Sequence, residues 1–164
     1  IDARAALRYC QDELDGIVVD AYSRQFEVPP HMATQDFFQE IYDKLSRGGV
    51  MCFNLGTSAS KLGDNSLSAI TAGVIGAFGE GNVRLQHVAR SRNWVVFARK
   101  EMVLPPLQSV ADLMPEGWPI EIAASCLPHE SFESNELSDI SAHALTDDRN
   151  SIVARQFLEW GSAQ

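Results

Sequence analysis

Two short, continuous apolar runs constrain this chain more than any other feature. Gly16-Ile17-Val18-Val19 ends on the acid Asp20, and Val50-Met51-Cys52-Phe53-Asn54-Leu55 follows further on. A strand with one solvated face alternates apolar and polar residues, whereas an unbroken apolar run suits a parallel strand covered on both faces. Parallel neighbours need a crossover, and the sequence supplies one. After a loop with Pro29 and Pro30, Thr34 stands as an N-cap ahead of Phe37, Phe38, Ile41, Tyr42 and Leu45 at helical spacing, and Gly48-Gly49 follows as a stop. The strands ending at Asp20 and Leu55 are therefore expected to be adjacent, parallel and joined by a right-handed crossover, with the first of them central in its sheet.

The remaining segments extend the same pattern. Ala5, Ala6 and Leu7, flanked by Arg4 and Arg8, form a short helical stretch ahead of the first strand. Beyond the loop from Gly56 to Asp64, Leu67 to Phe78 reads as an apolar helix. Val83–Val88 and Asn93–Ala98 read as two strands joined by the turn Ala89-Arg90-Ser91-Arg92, an antiparallel hairpin expected at one edge of the sheet. The fold class is α/β, a mostly parallel sheet with an antiparallel edge hairpin, over residues 1–104. Residues 105–164 form an extension that holds Pro105, Pro106, Pro115, Pro119 and Pro128 and closes in a helix from about Ile152 to Trp160.

Composition removes several function classes. Thirteen Lys plus Arg against twenty-two Asp plus Glu give a net charge of −9, which opposes grip on nucleic acid or an anionic membrane and favours a small or cationic partner. The most apolar long stretch, Leu67 to Phe78, is far below the roughly 20 residues that a bilayer span needs. Cys10, Cys52 and Cys126 are odd in number and widely spaced, which points to buried free thiols in a reducing, cytosolic setting. There is no GxxxxGK[ST], HExxH, GxSxG or CxxC, so the chemistries those motifs carry lack their residues. Gly73, Gly76, Gly79 and Gly81 lie in and just after an apolar helix, where packing and a helix-ending turn explain them better than a phosphate loop. His31, His87, His129 and His143 lack metal-ligand spacing, and Trp94, Trp118 and Trp160 read as packing residues.

Two ordered sets of residues are more specific. The first is Ile1-Asp2-Ala3-Arg4 ahead of a helix, then Asp15-Gly16-Ile17-Val18-Val19-Asp20-Ala21-Tyr22, Val28-Pro29-Pro30-His31-Met32, Thr34-Gln35-Asp36-Phe37-Phe38 and Leu45-Ser46-Arg47-Gly48-Gly49-Val50. The second is Asn93-Trp94-Val95-Val96-Phe97-Ala98 with, far downstream, Leu145-Thr146-Asp147-Asp148-Arg149-Asn150. In this order they resemble the spermidine synthase family, the polyamine aminopropyltransferases, and especially its divergent spermidine-synthase-like members. The resemblance implies a Rossmann-like, S-adenosylmethionine-dependent methyltransferase fold that takes decarboxylated S-adenosylmethionine as co-substrate, with no metal, and transfers its aminopropyl group to a diamine such as putrescine. It also implies that this chain corresponds to the C-terminal half of such a domain, because the glycine-rich first strand-to-helix turn and the acidic second-strand end have no counterpart here.

Asp20 is then the residue that binds the amine and accepts its proton, since open α/β sheets place ligands at the carboxyl ends of their strands. A solvated strand-end acid is the other way to read it. Asp2-Ala3 matches the turn that receives the adenine amino group, although Asp2 could equally be a helix cap. Tyr22 either lines the amine pocket or is a packed loop aromatic. Ser23 stands where authentic synthases carry a second acid, and Arg24 follows where a positive charge opposes a polyamine, so weak discrimination among amines is expected. A half-domain should bind S-adenosyl nucleosides poorly on its own, should leave an apolar face where the missing strands would pack, and could pair as a homodimer. A non-enzymatic or methyltransferase-like binding domain on the same fold is the alternative.

Overall fold

The computed structural model describes residues 2–22, 27–58, 62–88, 91–101, 130–132, 137, 140 and 143–161. The elements run α1 (Ala3–Tyr9), β1 (Leu14–Val19), a 3-10 turn (Pro30–Met32), α2 (Gln35–Lys44), β2 (Leu45–Gly56), α3 (Ser66–Phe78), a second 3-10 turn (Glu80–Asn82), β3 (Val83–His87), β4 (Asn93–Arg99), β5 (Glu130–Phe132) and α4 (Ile152–Gly161). Helix α2 starts where its sequence places it, with the Thr34 hydroxyl accepting from the Phe37 N–H at 3.2 Å. Its amphipathic stripe puts Phe37, Phe38 and Ile41 into the core.

The five strands lie in the order β1-β2-β4-β3-β5. Strands β1 and β2 are parallel as expected, with Ile17 opposite Met51 and Val19 opposite Phe53. The other three pairings, β2/β4, β4/β3 and β3/β5, are antiparallel. The sheet is thus mixed and not mostly parallel. The cause is topological: α3 carries the chain from β2 to β3 across a gap one strand wide, and β4 returns from β3 into that gap. Strands β1, β2 and β3 all run one way, yet β2 and β3 never touch. The hairpin lies next to β2, and the sheet edge beyond it is taken by β5, from a stretch with no strand expected.

A second correction concerns β1, which is an edge strand among the described residues and not a central one. Its face is open enough that Val18 is 77% exposed. Burial alternates along β2 and β4 too, so the apolar runs do not signify two covered faces. Helices α2 and α3 pack against each other and onto one face, where Met51, Phe53, Leu55, Trp94, Val96 and Leu85 are fully buried or nearly so. Cys52, Asn54, Val95 and Phe97 lie half-buried on the other face. Cys52 and Cys10 are free thiols, as expected, but half-buried instead of buried, and Cys126 lies outside the described residues. Leu137, Leu145 and Ile152 join the same core, so the later part of the chain packs with the earlier part.

Gly48 and Gly49 do not end the helix. Helix α2 stops at Lys44 and Leu45 is already extended, so the glycines form a bulge in β2 between the Leu14/Leu45 and Gly16/Val50 pairs. Gly48 has φ of 79°, and a Cβ on Gly49 would come within 2.9 Å of the Ser46 carbonyl oxygen.

Candidate active site

Asp20 follows the last residue of β1, at the carboxyl end of a parallel strand pair. Val19 faces Phe53, so one step further along the register places Asp20 beside Asn54. The Asn54 amide donates from Nδ2 to Asp20 Oδ1 at 2.9 Å. Tyr22 folds back over the same strand ends: its hydroxyl accepts from the Gly56 N–H at 3.0 Å and donates to the Asn54 carbonyl at 3.4 Å. Burial pushes the Tyr22 phenol above its ordinary pKa, the Gly56 hydrogen bond opposes this, and the Asp20 charge adds to it. Burial and the same charge raise the Cys52 thiol. The site therefore presents a carboxylate beside a neutral phenol and a neutral thiol.

Ala3 and Asp20 line one open cavity of about 390 Å³ between α1, β1 and α2, together with Leu7, Val18, Ala21 and Met32. Its walls are largely apolar and include β1, the edge strand among the described residues. Asp2 lines a second cavity of about 460 Å³ together with the ionisable Arg4, Arg8, His31 and Asp147. Asp2 Oδ1 accepts from the Ala5 N–H at 3.1 Å, which makes it the N-cap of α1, and Oδ2 pairs with His31 Nε2 at 2.8 Å. The Ala5 bond, then the His31 bond, lowers the carboxyl below its ordinary pKa.

The structure thus brings Asp20, Tyr22 and Ala3 to one region and sets Asp2 on its flank. Ser23 lies outside the described residues. Asn54 was not singled out by the sequence, although a polar residue inside an otherwise apolar strand is a visible signal. Arg4 was also overlooked. It sits between Asp2-Ala3 and an apolar helical face, and it is only 5% exposed. Among the described residues, no group of three or more His, Cys, Asp or Glu could hold a metal ion, and no helix is long and apolar enough to cross a membrane.

No family model matches the chain. Over 100 residues it is 33% identical to a probable polyamine aminopropyl transferase of Bifidobacterium longum, a match that covers 60% of this chain and 22% of that protein. A solved probable spermidine synthase from Corynebacterium glutamicum superposes with a TM-score of 0.65 over 90% of this chain and 52% of that one, at 18% identity. The chain is spermidine-synthase-like. It spans about a fifth of the curated relative's length, and the structural likeness shows that the fold is shared. Within this spermidine-synthase-like fold, Asp20 occupies a strand end beside an open cavity, where ligands of open α/β sheets gather.

Proposed function

We propose that this spermidine-synthase-like chain supplies the amine-accepting side of a polyamine aminopropyltransferase, on a Rossmann-like methyltransferase-type domain of which residues 1–104 are the C-terminal half and 105–164 an extension. The co-substrate is decarboxylated S-adenosylmethionine and the acceptor a diamine such as putrescine. Asp20 is the catalytic base. The amine nitrogen attacks the aminopropyl carbon bound to sulfur, the carbon–sulfur bond breaks with its electron pair left on sulfur, and the Asp20 carboxylate takes the amine proton. Asp2 and Ala3 meet the adenine, and Tyr22 and Ser23 flank the diamine. The same proposal places the protein in the cytoplasm, acting on small cationic amines and free to pair as a homodimer.

One observation carries this reading: Asp20 stands at the carboxyl end of β1 with one oxygen held by Asn54, on the cavity that Ala3 also lines. The test is aminopropyl transfer by the full-length protein across several diamines. Asp20→Asn keeps the size and hydrogen bonding of the side chain but removes the base, so turnover should fall by about 10²-fold or more while nucleoside binding holds. A loss confined to KM and rescued by high diamine would make Asp20 an anchor instead. Unchanged kinetics would end the catalytic claim, and absence of transfer by the wild type would favour a binding domain on the same fold.

A further inference from the structure

The segment Leu145-Thr146-Asp147-Asp148-Arg149-Asn150 has no part in the chemistry proposed above, yet it is bonded to the flank of the site where Asp2 lies. Thr146 and Arg149 close a tight turn by exchanging backbone hydrogen bonds of 3.2 and 3.1 Å. Inside it, Asp147 accepts from both terminal nitrogens of Arg4 at 2.8 Å each and from the Thr34 hydroxyl at 2.8 Å. The Asp147 N–H donates to Asp36 at 2.8 Å, the Gln35 N–H donates to the Leu145 carbonyl at 2.7 Å, and the Asn150 amide donates to the Pro30 carbonyl at 2.5 Å.

Arg4 transmits this grip. Its guanidinium has five N–H donors. Beyond the two bonds to Asp147 they supply two to Glu40, at 3.1 and 2.6 Å, and one to the His31 carbonyl at 2.7 Å. All five donors are engaged, so Arg4 has none left for a ligand and cannot rotate without breaking several bonds at once. The consecutive carbonyls of Pro30 and His31 are thereby fixed, one by Asn150 and one by Arg4. The His31 ring then rests on Asp2 Oδ2, and the backbone of Asp2 is two residues from Arg4.

We propose that the 146–149 turn is a positioning element of the nucleoside end of the site, with Asp147 and Asn150 as positioning residues that act through Arg4 and His31 on Asp2. This rests on the reading of Asp2 as the adenine acceptor. The decisive measurement is the KM for decarboxylated S-adenosylmethionine and, separately, for putrescine in the full-length enzyme. It compares the wild type with Asp2→Ala, Asp147→Asn and Asn150→Ala, each with its thermal midpoint recorded. Asp2→Ala should raise the nucleoside KM by about tenfold and the other two by about fivefold, the scale of one lost or misplaced hydrogen bond, with the putrescine KM unchanged within about twofold. If Asp147→Asn fails to fold, Asn150→Ala, which removes no charge, decides alone. A lowered thermal midpoint with an unchanged nucleoside KM in the turn variants, while Asp2→Ala still raises it, overturns the inference and leaves a plain structural clamp. Equal rises in both KM values also overturn it. An unchanged nucleoside KM in Asp2→Ala defeats the adenine reading and the inference together.

Discussion

In the proposed reaction the Asp20 carboxylate takes a proton and must present the right oxygen, and the side chain that holds it is Asn54. Its amide donates to Oδ1 of Asp20, and Asp20 lines the open cavity. Asn54→Ala should therefore lower kcat for diamines by about five- to tenfold with little change in nucleoside binding, as steady-state kinetics would show. Asn54→Asp should do worse, since it sets a second carboxylate against the first. Asp20 was legible in the sequence as the acid that closes an apolar run. Asn54 was not, because only the strand register turns it toward Asp20, and register follows from a bulge at Gly48-Gly49 that looks like a helix stop. Asp2 was legible as a cap, and the structure adds the bond to His31, which spacing along the chain does not reveal.

At the scale of elements, the helices were easier to read than the sheet. The cap at Thr34 and the apolar stripe behind it act within a few residues, so α2 declares itself locally. Neighbour identity in a sheet is decided by contacts far apart in sequence. Nothing near β4 announces that it inserts between β2 and β3, and nothing near Glu130–Phe132 announces that β5 covers the far edge. Helix α3 ends as its glycines suggested: Gly79 at the C-cap has φ of 85°, and Gly73 and Gly76 let α2 approach, with a Cβ on Gly76 reaching within 2.7 Å of the Gln35 side chain. Gly79→Ala should cost about 1 kcal/mol in chemical denaturation, because an L side chain rarely adopts that backbone. Gly81→Ala, with open space around it and no positive φ, should be close to neutral in the same assay.

For the molecule as a whole, the clamp around Arg4 fixes how stability responds to acid. Hydrogen bonds from Arg4 hold the Asp147 carboxyl below its ordinary pKa. Burial pushes Glu40 up, but the bonds from Arg8 and Arg4 together outweigh it and leave it lowered. Asp2 is lowered by the Ala5 N–H and His31. Each carboxylate is more acidic in the folded than in the unfolded chain, so its contribution is complete at neutral pH, above the unfolded values near 4, and is lost as pH falls through the lower folded values. Denaturant midpoints should stay level from about pH 7 to 5 and drop below about pH 4, and Asp147→Asn should flatten that drop. A slope as steep in Asp147→Asn as in the wild type would take Asp147 out of this account.

The same clamp sets an order of events during synthesis. Arg4 and Asp147 are 143 residues apart, so at roughly 5–20 residues per second the ribosome releases them about 7 to 30 s apart. Over that interval the guanidinium has Glu40 but not the carboxylate that takes two of its five donors. Helix α1 is made before that turn, and its hydrogen bonding is completed only when the turn, 143 residues after Arg4, has docked. A nascent or truncated product lacking that turn carries a cation bound for the interior without its full complement of acceptors, a defect that proteases and chaperones sense and that vanishes once the turn has docked.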